Sequence, residues 1–322
     1  MNAGGEWPGD WTGDLLQHYG LGQGSRVAGA GPGRHILLEI DAPGQPGLIF
    51  KGADSPPRDL NALRVGLEFQ DHVARKGGPA PGILRGADGA VFHHASGLHG
   101  AIHIRLTGRP ATATPEDAAE LGGALARIHR LGDGWSGAGE LPLAKRATLV
   151  DGPARRIRKA LDQRFEPELD GLIARLGHWI DRLPRDGDVF GPCHGDSHYE
   201  NASADAAGVL CFYDFEHAVR GWRAFDLASF IWGCFGLESG AETWNAFMQG
   251  YGALRPISEA EALWIRPFLV VRQLWWLGFN AGADGPLSDK MRARLDEGLG
   301  FLTHLAQQVG ADEAMTEAAC PA

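Results

Sequence analysis

The segment from Cys193 to Glu216 constrains this chain more than any other; it reads CHGDSHYENASADAAGVLCFYDFE. Asp196 follows His194-Gly195, Asn201 lies five residues further on, and Asp214 comes eighteen residues after Asp196. Between them lie a turn over 203–208 and an apolar strand over 209–213. A loop, a hairpin and an acid at the far strand's end bring Asp196, Asn201 and Asp214 around one small volume. Two carboxylates and an amide oxygen are hard ligands that suit Mg²⁺, which completes its octahedron with water and substrate phosphates. Phosphoryl transfer needs a metal across the phosphates, a carboxylate to orient the acceptor hydroxyl and a cation on the donor phosphates.

The rest of the chain supplies a setting for that cluster. Residues 1–20 read as a short helix or irregular arm. Over 21–55 a Gly-Pro-Gly cluster and a Pro/Gly turn punctuate two strands, at 35–40 and 48–51. The period changes over 58–76, where Leu60, Leu63, Leu67, Phe69 and Val73 suit an amphipathic helix ended by Gly77-Gly78. Strands are expected at 91–94 and 101–106. From Thr114-Pro115-Glu116-Asp117 onward the texture is helical, because a cap, a first-turn proline and acids at the positive dipole end open a helix there. Helices are expected within 153–183 and from 225 to the end, with acceptor-side candidates over 238–251, 258–281 and 290–308.

Upstream, Lys51 ends an apolar strand and needs a partner or an anionic ligand. Glu68, on the predicted helix, is within reach of it. The turn carrying Gly31 and Gly33 precedes both, and its backbone could approach phosphates closely. The order is a Gly-rich turn, a strand lysine, a helix glutamate, a loop aspartate and asparagine, then a strand-end aspartate.

This order, with HGDSHYEN and FYDFE as they stand, resembles the aminoglycoside phosphotransferase/choline kinase-like superfamily, small-molecule relatives of the protein kinases. The resemblance runs over roughly 25–280. It includes the helix ending Ala126-Arg127-Ile128-His129 and the Asp226-Leu227-Ala228 start of a later helix. It implies an α+β, bilobal, protein-kinase-like fold. A small antiparallel-sheet N-lobe would span 1–106, and a mainly helical C-lobe with the catalytic loop and acceptor site would span 107–322.

It also implies roles. Asp196 is the expected catalytic aspartate, and Asn201 and Asp214 are the expected Mg²⁺ ligands. Lys51 would hold the α- and β-phosphates, with Glu68 holding Lys51. The adenine would lie between the lobes near Ile104, and Gly31 and Gly33 near the phosphates. His194 would pack the catalytic loop and Asp226 would brace it. His198, Glu216, Asp226, Arg272 and Trp276 are the candidate acceptor or supporting residues. The implied activity is transfer of the γ-phosphoryl group of ATP, with Mg²⁺, to a hydroxyl of a small molecule. GTP is not separated from ATP at this level. A non-catalytic nucleotide-binding regulator and a protein-directed kinase on the same fold remain the alternatives.

Composition narrows the partners. The 322 residues carry 30 Lys+Arg against 40 Asp+Glu, a net charge of −10. That argues against nucleic acid and against anionic lipid as partners. It suits a cationic acceptor such as an aminoglycoside, an amino alcohol or an amino acid. A zwitterion would also want an arginine for its carboxylate, and Arg266 and Arg272 are the candidates. Trp264, Trp275 and Trp276 at helical spacing read as core, or as an aromatic wall for a sugar or alkylammonium. The four cysteines form neither a disulfide framework nor a zinc spacing. No basic leader is read at the N-terminus, and the apolar stretch over 268–279 is cut by Arg272 and Gln273, so a cytoplasmic protein without a membrane span is expected. Nothing in the sequence sets an oligomeric state.

Overall fold

The computed structural model describes residues 11–22, 24–29, 36–53, 59–95, 98–162, 165–282 and 287–317. After helix α1 (Trp11–His18), the chain builds an antiparallel sheet from β1 (Arg26–Gly29), β2 (Ile36–Asp41), β3 (Leu48–Ala53), β4 (Ile83–Leu84), β5 (His93–Ala95) and β6 (Leu98–Ile104). The strand order is β1-β2-β3-β6-β4, with β5 also paired to β6. Side chains alternate across a strand, so β3 divides its residues between two faces. Leu48 and Phe50 join Leu38, Ile40, Ile102 and Leu15 of α1 in an apolar cluster on one face. Lys51 pairs with Leu37 and Ala101, and Ile49 with His103, so these residues share the opposite face.

Helix α2 (Leu60–Arg75) crosses that second face. Asp59 caps it by accepting the Ala62 N–H at 2.9 Å. Its buried side includes Val65, Phe69 and Val73. Phe69 stacks on Trp135 at 5.1 Å and meets Phe215 edge-on at 5.7 Å. The helix is thereby tied to Phe215, in the short turn at 215–217.

The remainder is mainly helical: α3 (Pro115–Asp133), α4 (Gly152–Leu161), α5 (Pro167–Arg182), α6 (Arg223–Cys234), α7 (Gly240–Gly252), α8 (Glu259–Ala281), α9 (Asp289–Gln308) and α10 (Ala311–Glu317). Thr114 caps α3 as expected, and Ser258 and Glu261 form a reciprocal capping box on α8. Helices α3 and α7 approach so closely that a Cβ on Gly122 would lie 2.0 Å from the Phe247 carbonyl oxygen, which explains a glycine inside a helix. Set among these helices are two short ladders, β7 (Phe190–Cys193) with β10 (Val219–Trp222), and β8 (Ala202–Ala204) with β9 (Leu210–Phe212). One continuous apolar cluster underlies both ladders and the helices.

The architecture is the α+β, kinase-like one expected, and its strand boundaries differ in detail. The strand expected at 101–106 starts earlier and ends sooner, at Leu98 and Ile104, and the one expected at 91–94 is His93–Ala95. The β7–β10 ladder escapes a propensity reading because Gly191 and Pro192 are poor strand residues; the fully buried Trp222 opposite Phe190 anchors it. Among the described residues no helix is long and apolar enough to cross a membrane.

Candidate active site

The catalytic-loop candidate runs from the end of β7 to the start of β8. Gly195 has φ +82°, and a Cβ there would lie 2.0 Å from the His217 carbonyl oxygen, so only glycine fits between His194 and Asp196. The Asp226 carboxylate, wholly buried, accepts the backbone N–H groups of His194 at 2.7 Å and Gly195 at 2.8 Å. Its other contact is His129 Nε2 at 3.0 Å, and His129 Nδ1 reaches the Tyr251 hydroxyl at 2.8 Å. Asp226 is thus placed as the expected brace. His194 accepts the Asp196 N–H on Nδ1 at 3.2 Å and reaches the Tyr213 carbonyl with Nε2 at 2.9 Å, which ties the loop to the strand that delivers Asp214. Burial holds its imidazole below the ordinary histidine pKa and so uncharged.

Asp196 and Asn201 meet as the spacing anticipates. Asn201 Nδ2 donates to the Asp196 backbone oxygen at 2.9 Å and to its Oδ2 at 3.0 Å. That leaves the Asn201 amide oxygen for a cation. Arg272, reaching in from α8, donates from Nη2 to Asp196 Oδ1. His198 Nε2 lies 3.6 Å from the same oxygen. Burial alone would raise the Asp196 pKa, but Arg272, His198 and His217 together hold it well below the usual carboxylate range.

Asp214 follows β9 with φ 69° and ψ 56°, a left-handed conformation that a non-glycine residue adopts rarely and mostly at functional sites. Its carboxylate lies 2.7 Å from Lys51 Nζ, and Glu216 Oε1 lies 2.9 Å from the same ammonium. Burial works against the lysine's charge, yet these two carboxylates hold its pKa above the ordinary value. Asp214, in turn, is raised by burial but brought below its ordinary value by Lys51.

One expectation is corrected here. Glu68 does not hold Lys51. Its carboxylate pairs with Arg64 one turn back on α2 at 2.5 Å, and Arg64 also bonds Glu140 at 3.0 Å. The i, i+4 spacing on an exposed face favours that local pair, and the lysine takes its carboxylates from across the cleft. Gly31 and Gly33 lie outside the described residues.

Lys51, Asp214 and Glu216 stand at one side of a cleft of about 460 Å³ between sheet and helices, with Leu37, Ile49, His103 and Ile104 along its walls. Ile104 is placed there as expected, 40% exposed. The sequence reading missed His103 and Gln70. Gln70 Nε2 donates to the Pro81 carbonyl at 2.9 Å and contacts His103 Nδ1 at 3.1 Å. Burial, helped by the Lys51 charge, brings the His103 pKa down to about 4. The only available signal was period two: His103 shares parity with the strand positions that face Lys51.

On the acceptor side, Arg272 is 1% exposed and its guanidinium lies 4.8 Å from the ring centroids of both Trp232 and Trp275. Trp232, also missed, is fixed by donating its indole N–H to Gln273 Oε1 at 2.7 Å. Trp276 packs at 5.7 Å from Trp232 and under Arg294 at 4.6 Å. Trp264 is buried core, and Arg266 is exposed, its guanidinium near Gly310. Glu261 is consumed by its helix cap, whereas Glu238 and Glu242 line an open depression of about 570 Å³ beside Tyr199. Cys193, Cys211 and Cys234 are free and buried, and Cys320 lies outside the described residues.

A loop carboxylate, an amide oxygen, a second carboxylate and a lysine around an interlobe cleft form an arrangement able to hold a metal–nucleotide and present it to a hydroxyl. Comparison with known proteins agrees with that capacity. Residues 42–264 match the phosphotransferase enzyme family. An uncharacterized protein of Deinococcus radiodurans is 31% identical over 257 residues, covering 76% of this chain and 75% of that protein. Homoserine kinase of Cupriavidus metallidurans is 30% identical over 207 residues, 61% of this chain and 62% of that enzyme. Homoserine kinase of Bradyrhizobium sp. strain BTAi1 is 30% identical over 234 residues, 67% of this chain and 69% of that enzyme. Among solved structures, a microcompartment-associated aminopropanol kinase superposes with a TM-score of 0.76 at 15% identity, covering 95% of this chain and 98% of that one. An amicoumacin kinase in complex with AMP-PNP and Ca²⁺ gives 0.73 at 15% identity, covering 91% and 92%. The chain belongs to the phosphotransferase enzyme family and is a small-molecule kinase.

Proposed function

We propose that this protein transfers the γ-phosphoryl group of ATP, with Mg²⁺, to a hydroxyl of a small amino-bearing molecule, and that hydroxy amino acids are the acceptors it fits best. The observation that carries the reading is a pair of linked contacts: Lys51 meets Asp214 on the wall of one cleft, and the Asp196–Asn201 pair adjoins it, the Asn201 backbone carbonyl accepting the N–H of Tyr213 next to Asp214. The homoserine kinases at about 30% identity support an amino-acid acceptor.

The donor set fits a hard divalent cation: the Asp214 carboxylate and the Asn201 amide oxygen left over once its N–H₂ has bonded Asp196. When bound, Mg²⁺ neutralises charge on the β- and γ-phosphates. Lys51 adds a positive charge at the phosphate end of the cleft. Leu37, Ile49 and Ile104 give the adenine apolar walls. Asp196 orients the acceptor hydroxyl. The acceptor oxygen forms a bond to the γ-phosphorus as the bond from that phosphorus to the β,γ-bridging oxygen breaks, and ADP leaves with the electron pair. The hydroxyl proton passes through Asp196 to solvent. Arg272, His198 and His217 hold Asp196 below the usual carboxylate range, so it meets the acceptor hydroxyl ionised and aligns it.

The test is Mg²⁺-dependent ADP release over amino alcohols, aminoglycosides, sugars and hydroxy amino acids, in the wild type and Asp196→Ala. Nucleotide binding is expected to survive the substitution while transfer falls by orders of magnitude. Equal turnover in the two proteins counts against the assignment of Asp196.

A further inference from the structure

We infer that Arg272 selects acceptors that carry a carboxylate beside the hydroxyl, and rejects those whose only charge is an ammonium, because the guanidinium fills the aromatic slot next to Asp196. The inference rests on the phosphotransfer reading above and names its substrate class.

Trp232 and Trp275, each 4.8 Å from the Arg272 guanidinium, form the kind of slot that holds an alkylammonium by cation–π attraction. Here the chain's own cation occupies it. The walls are fixed: Trp232 by its bond to Gln273, and Trp275 by stacking on Phe279 at 5.4 Å and by the edge of His217 at 5.0 Å. An amino alcohol that places its hydroxyl on Asp196 brings its ammonium toward a like charge in a desolvated site. Selection by such repulsion is as effective as selection by attraction.

The hydrogen-bond inventory points the same way. Both Asp196 oxygens are engaged, Oδ1 by Arg272 and Oδ2 by Asn201. Arg272 makes its bond through Nη2, while its Nε and Nη1 are buried with no partner. An acceptor hydroxyl that donates to Oδ1 competes with Arg272 for that oxygen and draws away the one carboxylate that, among the described residues, pairs with this buried cation. A buried charge left without a partner is costly. A molecule carrying a carboxylate near its hydroxyl restores that pairing as it displaces it: the hydroxyl goes to Asp196 and the carboxylate to Arg272. A neutral or purely cationic acceptor cannot make this exchange.

The experiment compares hydroxy amino acids with their decarboxylated counterparts under saturating Mg–ATP: L-homoserine against 3-aminopropan-1-ol, L-threonine against 1-aminopropan-2-ol, and L-serine against ethanolamine. In the wild type, kcat/KM is expected to favour the carboxylate member of the best pair by on the order of a hundredfold. In Arg272→Met that ratio is expected to fall to within about fivefold, with Arg272→Lys between the two. A wild-type preference for the amino alcohols overturns the inference and leaves the kinase reading standing. So does a ratio unchanged in Arg272→Met while both rates drop, which would make Arg272 only a holder of Asp196. Should Arg272→Met fail to fold, the wild-type ratio and the Arg272→Lys ratio decide. Turnover of no member of any pair, by protein that binds Mg–ATP, overturns both readings.

Discussion

Lys51 on β3 and Glu216 beyond the β8–β9 hairpin are joined across the cleft at 2.9 Å, so this lysine is anchored by the helical lobe and not by helix α2. Asp214 completes the triad at 2.7 Å. Of the two carboxylates on α2, Glu68 is 35% exposed and bonded to Arg64, and Asp71 is bonded to Arg85. Were Asp214 to ligate a metal ion, as proposed above, Glu216 would be the acid left to hold Lys51.

Glu216→Gln is therefore expected to raise the KM for nucleotide about tenfold, the worth of one charge-assisted hydrogen bond. Glu68→Gln should stay within about twofold of wild type, because an exposed i, i+4 pair contributes little. Steady-state kinetics of the two variants side by side checks the assignment. A larger effect at Glu68 than at Glu216 would reverse it.

Asp214→Asn should act on the metal and not on the acceptor. Its carboxylate is one of two proposed ligands, so the Mg²⁺ concentration for half-maximal activity is expected to rise at least about tenfold, with the acceptor KM little changed. A Mg²⁺ titration at fixed ATP reads this directly. An unaltered metal dependence would remove Asp214 from the ligand set.

The sequence made the loop-and-hairpin cluster legible because its chemistry is local. Asp196, Asn201 and Asp214 lie within one segment, and hairpin geometry alone brings them together. Glu68 shows the limit. Order and spacing placed it near Lys51, but which carboxylate wins a lysine depends on how two lobes face each other, and that is not local. Arg272 shows a signal read for less than it held. It was visible as the charge that breaks an apolar helix, and that incongruity marks the side chain reaching Asp196. Trp232 carried no signal of its own and His103 only its strand parity, since an aromatic in a core helix and a histidine in a strand are ordinary until a third element packs beside them.

Asp226 predicts a structural failure and not a chemical one. It bonds the backbone N–H groups of His194 and Gly195 and a buried histidine at once. Asp226→Ala leaves the two backbone N–H groups and His129 without this partner in a wholly buried place. The expected cost is about 3 kcal/mol of stability, with activity lost through disorder of the 194–196 loop. Urea unfolding and Mg–ATP binding separate the two effects. A variant of wild-type stability would show that the loop holds itself.

His103 gives a pH dependence with a definite sign. Its folded pKa of about 4 lies below the ordinary value of 6.5, because burial and Lys51 disfavour the imidazolium. The unfolded chain therefore binds more protons at this site between those values, so stability falls as pH drops. The neutral ring's contribution is fully present above about pH 7, falls progressively below the unfolded pKa, and reaches its full loss below the folded one. At pH 5 the loss amounts to about 2 kcal/mol relative to pH 8. His103→Gln keeps a polar neighbour for Gln70 and removes the titration. The difference in unfolding free energy between the two proteins should therefore shift by about that amount between pH 8 and pH 5, in favour of the variant at the lower pH. Chemical denaturation at the two pH values measures it, and a difference that does not change with pH would mean that His103 is protonated in the folded protein as readily as in the unfolded chain.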